Sequence, residues 1–168
     1  MLRVIFDTNI YGDLALENDS KELGSKIRNS KDFVVYGYTA VRKELRNISK
    51  ESKKSRKVRL ALLQLYDTIT EGHFLENSLK ITHLARQYYD TYRNYGGIYN
   101  WETNIRIDFM IVACASIHGL DIVYSSDSKT LISKPALKAY KHVNLKECYR
   151  RPDFFTYEEL LALLRMME

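Results

Sequence analysis

Glycine and proline are scarce, with 7 Gly and 2 Pro in 168 residues. No GxGxxG or GxxxxGK[ST] string occurs, which removes a glycine-built cradle for the phosphates of a dinucleotide or a nucleoside triphosphate. So few turn formers also leave little material for a turn-dense all-β fold. Cysteine is sparser still: Cys114 and Cys148 lie far apart, in no CxxC pair and no secreted disulfide pattern. A reducing cytosol is the matching compartment, and the expected localisation is cytoplasmic. The longest apolar-to-small run, Phe109 to Ile117, is about half the length a membrane helix needs. The start, Met-Leu-Arg and three apolar residues before Asp7, is too short and too early charged for a signal peptide. Neither a membrane nor secretion is expected.

What is present suits a chain that buries a core: 45% hydrophobic and 28% charged residues argue against disorder. Lys plus Arg exceed Asp plus Glu by 26 to 21, and the net charge of +5 is a mild bias toward anionic partners. Leu2 to Phe6 reads as a strand covered on both faces, ending abruptly at Asp7. Helices are predicted to Leu16 and from Ser20 to Asn29, a strand at Phe33 to Tyr36, and a helix capped by Thr39 that carries Glu44. Lys50 to Arg59 is strongly basic and leads into an amphipathic helix over Val58 to Thr70. A tyrosine-rich helix from Ser78 to Tyr95 stops before Gly96-Gly97. A nearly apolar helix starts at Thr103 or Asn104, passes Asp108 and ends at His118 before Gly119. Ile122 to Tyr124 is a short strand, His142 to Leu145 is expected to be the last one, and Thr156-x-x-Glu159 is a capping box for a final helix. Strands alternating with helices predict one α/β domain over residues 1–168, with a mostly parallel sheet flanked by helices in three layers.

In such sheets the functional crevice lies at the carboxyl ends of the strands. Asp7 and Asp127 both follow strands, so their carboxylates converge if those strands are neighbours. Asp108 sits just before the most apolar stretch, where a carboxylate is partly desolvated; the plainer reading is an acid complementing a helix N-terminus. Glu44 follows the second strand by one or two helical turns, and a solvated Glu beside Arg42 and Lys43 is its plain reading. Four carboxylates without matching His, Cys or Gly machinery suit hard cations, since Mg²⁺ and Mn²⁺ prefer oxygen ligands. Gathered carboxylates repel one another and call for a cation or a proton. Ions held there would activate water against a phosphodiester.

The segments Val4-Ile5-Phe6-Asp7-Thr8-Asn9, Val41-Arg42-Lys43-Glu44-Leu45, Asp108 to Ala115 and Ile122-Val123-Tyr124-Ser125-Ser126-Asp127 together resemble the motifs of PIN-domain ribonucleases, in order and over nearly the whole chain. The resemblance implies a PIN-like fold and a metal-dependent endoribonuclease acting on single-stranded RNA and leaving a 5′-phosphate and a 3′-hydroxyl. VapC-type toxins of toxin–antitoxin pairs are the most abundant members. It implies that Asp7, Glu44, Asp108 and Asp127 are the acidic catalytic and metal-site residues, with Mg²⁺ or Mn²⁺ as cofactor. Ser125 would support the site and Asn9 would brace the loop after the first strand. An antitoxin protein and a homodimer are the implied partners. Arg151 to Phe155 looks like the family's approach to its last helix, and the segment at about 50–100 is a basic and helical elongation of the domain.

Other readings stand beside these. Lys53, Lys54, Arg56 and Lys57 would hold an RNA backbone, or belong to a solvated loop and helix start. Tyr88, Tyr89, Tyr92, Tyr95, Tyr99 and Trp101, with Arg86 and Arg93, offer a base-stacking platform, or a packed core. His73, His83, His118 and His142 lack zinc-ligand spacing, and Ser125-Ser126 lacks a GxSxG elbow. A PIN-like scaffold that binds RNA or protein with little catalysis is the alternative to a nuclease; a phosphatase-like metal site for small substrates is a third reading.

Overall fold

Val4, Ile5 and Phe6 are fully buried in the centre of the sheet, as a strand covered on both faces requires. The computed structural model describes residues 1–48 and 53–167, without the side chains at 53–55 and 104. Strands β1 (Leu2–Phe6), β2 (Phe33–Tyr38), β3 (Phe74–Leu75), β4 (Ile122–Tyr124) and β5 (Asp153–Phe155) form one sheet in the order β3-β2-β1-β4-β5, every pairing parallel.

The connections are helices: α1 (Thr8–Leu16) and α2 (Ser20–Arg28) join β1 to β2, and α3 (Thr39–Arg46) and α4 (Lys53–Ile69) join β2 to β3. The chain then returns across the sheet through α5 (Leu79–Asn94) and α6 (Arg106–Ile117) to β4, and through α7 (Lys134–Glu147) to β5; α8 (Tyr157–Met166) follows. Right-handed crossovers put α1 to α4 on one face and α5 to α7 on the other. This is the expected three-layer architecture. Because the direction of winding reverses between β1 and β4, the crevice at the carboxyl ends of those two strands is the switch point of the sheet.

Several boundaries move. His142 to Leu145, read as a strand, lies inside α7, whose buried Ala136, Ala139, Tyr140 and Val143 recur at helical spacing. The last strand is β5 instead, in the segment read as an approach to the final helix. Residues 101–105 form a π-helical turn, with Asn100 as its N-cap, and α6 begins only at Arg106. Asp108 therefore stands in the first turn of α6, not a full turn inside a helix begun at Thr103 or Asn104. The capping box is present: the Glu159 amide donates to Thr156 Oγ1 and the Thr156 amide to Glu159 Oε2 at 2.7 Å.

α6 runs through the core with Phe109 to Ser116 all buried. Each such large apolar side chain contributes about 1.5–3 kcal/mol on burial. The tyrosine row is core as well. Tyr88 and Tyr92 are fully buried against Phe109, and the Arg86 guanidinium lies over the rings of Tyr89 and Trp101 at 5.2 and 5.1 Å. Packing, not a stacking platform, accounts for most of these rings. Cys114 is buried within α6, and burial pushes its thiol up to about 12, as for an inert core residue. Among the described residues no helix is long and apolar enough to cross a membrane.

Candidate active site

Phe6 pairs with Tyr124 in the β1–β4 register, so the next residues, Asp7 and Ser125, leave the sheet side by side at the switch point. The Asp7 amide donates to the Tyr124 carbonyl at 2.9 Å, which extends the ladder by one step and fixes where the Asp7 side chain emerges. Its Oδ1 accepts from the Thr8 amide at 2.7 Å, making Asp7 the N-cap of α1, and its Oδ2 accepts from the Ser125 hydroxyl at 2.8 Å. Asp7 and Ser125 are both buried. Ser125 Oγ also accepts from the Asp127 amide at 3.1 Å, so one hydroxyl orients both strand-end acids.

Asp127 turns back on its own loop, Oδ1 accepting from the amides of Lys129 and Thr130 at 3.1 Å each. The Thr130 hydroxyl lies 2.5 Å from Asp127 Oδ2 and 2.5 Å from Asp108 Oδ2. One hydroxyl carries one proton. It can donate to only one carboxylate at a time, so the two acids compete for it, and burial above all, then the negative charge of Asp7, hold the Asp108 pKa well above the ordinary carboxylate value. Glu44 comes from α3, where its Oε2 accepts from the Thr8 hydroxyl at 2.7 Å. The neighbouring Arg42 forks onto Asp67 of α4 at 2.9 and 3.0 Å, so Glu44 is not its partner.

The site thus gathers acids from four elements through three small hydroxyl side chains. Burial lifts the Asp7 carboxyl from 3.8 to about 6, against the Ser125 and Thr8 hydrogen bonds that lower it; Glu44 and Asp127 add repulsion. Two desolvated, mutually repelling carboxyls are costly as anions and favour a proton or a cation. The donor set is all oxygen, the chemistry of Mg²⁺ or Mn²⁺ rather than of zinc. Among the described residues no three His, Cys, Asp or Glu side chains are gathered tightly enough to grip an ion alone. Mg²⁺ is commonly held by one or two carboxylates with retained water and substrate phosphate, so the residues fit it on those terms.

Asp7, Asp108, Asp127, Glu44 and Ser125 are therefore brought together as the sequence suggests. Asn9 is exposed and lines a groove bounded by α1, α3 and α4 next to Thr8 and Ser126, and the Asp7 cap and Ser125 hydrogen bonds fix the loop after β1. Thr8 and Thr130 are missing from the sequence reading, although Thr130 stands three residues after a strand-end Asp, where a hydroxyl can reach back. Arg56 and Lys57 are exposed near the start of α4. Lys50 and the side chains of Lys53 and Lys54 lie outside the described residues.

No protein-family model matches the sequence, and no curated protein matches it either. Solved structures do match. A chain in the crystal structure of VapBC2 from Rickettsia felis bound to a DNA fragment from their promoter superposes with a TM-score of 0.59 at 14% identity, covering 92% of this chain and 98% of that one. A chain of FitAB bound to an IR36 DNA fragment gives 0.55 at 14%, over 92% and 94%. FitAcB from Neisseria gonorrhoeae gives 0.56 at 17%, over 92% and 98%. In topology and in these superpositions, the chain is a three-layer α/β protein with a PIN-like fold.

Proposed function

We propose that this chain is a PIN-domain endoribonuclease that uses Mg²⁺ or Mn²⁺ to hydrolyse single-stranded RNA. The observation that carries the reading is the meeting of Asp7, Asp108 and Asp127 through the Ser125 and Thr130 hydroxyls at the switch point of the sheet. Asp7, Asp108 and Asp127 would hold the ion, and Glu44 would hold a second one or orient the attacking water. When bound, the ion lowers the pKa of its water and offsets charge on the scissile phosphate.

The protein's own part is to aim and to poise. Ser125 keeps Asp7 Oδ2 and the Asp127 backbone in one orientation, and the Thr8 hydroxyl keeps Glu44 turned toward the same crevice. The Thr130 hydroxyl sits between Asp108 and Asp127 and ties the two carboxyls together; a cation held there would favour their anionic forms over the protonated ones.

The VapC-type resemblance and the likeness to the VapBC2 and FitAB chains extend the reading to a toxin of a type II toxin–antitoxin pair, with an antitoxin protein as partner, a homodimer as the working unit and the cytoplasm as its place. An RNA-processing role differs in lacking such a partner, and co-purification with the product of a neighbouring small gene separates the two. Asp7→Asn and Asp108→Asn are expected to abolish metal-dependent cleavage of a single-stranded RNA while remaining folded. Full activity in either variant would overturn the assignment. RNA binding with no turnover by the unmutated protein would leave the binding-module alternative.

A further inference from the structure

Glu44 faces two ways. Beyond its contact with Thr8, it also lines a separate cavity of about 390 Å³ between α3, the segment before α5, and the start of α6. Ile107 and Met110 give this cavity an apolar part, and Lys43, Asn47, Asn77 and Arg106 supply its polar groups. Among the described residues neither Lys43 nor Arg106 takes part in an ion pair, whereas Arg42, next to Lys43 on α3, is committed to Asp67.

Asn77 is held from two sides. The hydroxyl of fully buried Tyr38 donates to its Oδ1 at 2.7 Å, and its backbone amide donates to Thr39 Oγ1 at 3.1 Å. With the amide oxygen occupied, the side chain has its NH₂ left, a donor aimed by a rigid neighbour. Asn47, exposed on the same cavity, adds an amide whose side chain makes no hydrogen bond among the described residues. A carboxylate-lined centre repels a phosphate backbone, so affinity for RNA must come from cations just outside it. Two unpaired cations, a fixed donor and an apolar wall sharing Glu44 with that centre meet the need. Single-stranded RNA offers the complement: a phosphate, a base edge and a base face.

We propose that this cavity is a nucleotide subsite, taking the nucleoside next to the scissile phosphate of a single-stranded RNA. Lys43 and Arg106 hold a phosphate, Asn77 donates to an acceptor on the base edge, and Ile107 and Met110 cover the base face. The inference rests on the ribonuclease reading and adds base selection to it.

The test uses the full chain. Binding of a fluorescent single-stranded RNA is measured in chelator across a salt series, and base preference is mapped by cleavage of a randomised oligonucleotide with Mn²⁺. Lys43→Gln and Arg106→Gln are each expected to weaken binding about tenfold and to lower the slope of log K against log salt by about 0.7, the loss of one phosphate contact on a single strand. Asn77→Ala and Asn77→Asp, the second of which keeps the acceptor for Tyr38 but has no donor, are both expected to flatten the preference at one base position. Lys21→Gln, on exposed α2 surface, is the control. If the unmutated protein cleaves RNA and the variants match it in affinity, salt slope and preference, the subsite is wrong and the ribonuclease reading stands. Loss of preference in Asn77→Ala alone would reduce Asn77 to a structural role and overturn the base contact. Loss of a co-expressed protein partner with RNA binding intact would make the cavity a protein-docking site, also against the proposal. No binding and no cleavage by the unmutated protein would remove the reading beneath it.

Discussion

Asp7→Asn is expected to make the metal-free protein more stable at neutral pH while silencing it. The native carboxyl titrates at about 6 against 3.8 ordinarily. Between those values the folded chain keeps a proton that the unfolded chain has lost, so stability falls as pH rises through the window from about 4 to about 6. A displacement of that size corresponds to about 3 kcal/mol by neutral pH. Asparagine imitates the neutral acid: its oxygen can still accept from the Thr8 amide, and its NH₂ can face Ser125 Oγ. In chelator at pH 7 the variant is therefore expected to unfold about 3 kcal/mol later, roughly 6–12 °C in Tm for a chain of this size. At pH 4 the gap should close. Mn²⁺ should also close it, by stabilising the native protein and not the variant. The assay is thermal melting at pH 4, 5.5 and 7 with chelator or Mn²⁺, the variant serving to isolate Asp7 from groups of opposite sign such as Asp121, whose pKa the Arg3 amide and Arg150 lower. A variant no more stable than the native protein at pH 7, with a native Tm flat from pH 4 to 7, would refute the electrostatic account of this site.

Three further substitutions probe the surrounding shell. Ser125→Ala removes the hydrogen bond that steadies the Asp7 anion, so the Asp7 titration followed by NMR should move above about 6 and cleavage should drop; an unmoved titration contradicts the contact. Thr130→Val leaves Asp108 and Asp127 without their shared hydroxyl, at a cost of about 1–3 kcal/mol by denaturant titration, with Thr130→Ser restoring both stability and cleavage if the hydroxyl is what matters. Tyr11→Phe deletes a buried hydroxyl with no hydrogen-bond partner among the described residues; it should be neutral or stabilising by up to about 1 kcal/mol, and a comparable loss would reveal a partner.

The sheet's centre and its acids were legible because each carried a local cue. A continuous apolar run ending in Asp7, and a second ending in Ser125-Ser126-Asp127, are strand ends whatever the remainder does. Edge strands were not legible. β3 has only Phe74 and Leu75, and β5 only Asp153 to Phe155, too short for any period to show. The misread segment His142 to Leu145 is different, since Ser133-x-Pro135 opens α7 and Ala136, Ala139, Tyr140 and Val143 keep the helical period through it. A short apolar run outweighed a longer pattern there. The hydrogen bond that fixes Asp7 after β1 comes from Ser125 across the sheet, a partner that no spacing around Asp7 and Asn9 reveals. Thr130 shows the same: its role depends on Asp108, 22 residues away in sequence, and no spacing within the loop reveals that.

The most direct measurement of the central claim is the chemistry of the cut ends. A single-stranded RNA is incubated with the purified protein and Mn²⁺ in H₂¹⁸O, and the products are weighed by mass spectrometry. Attack by water aimed at the carboxylate site predicts a 5′-phosphate carrying one ¹⁸O and a 3′-hydroxyl, with no product in chelator or from Asp108→Asn. A 2′,3′-cyclic phosphate, or cleavage that persists in chelator, would contradict it.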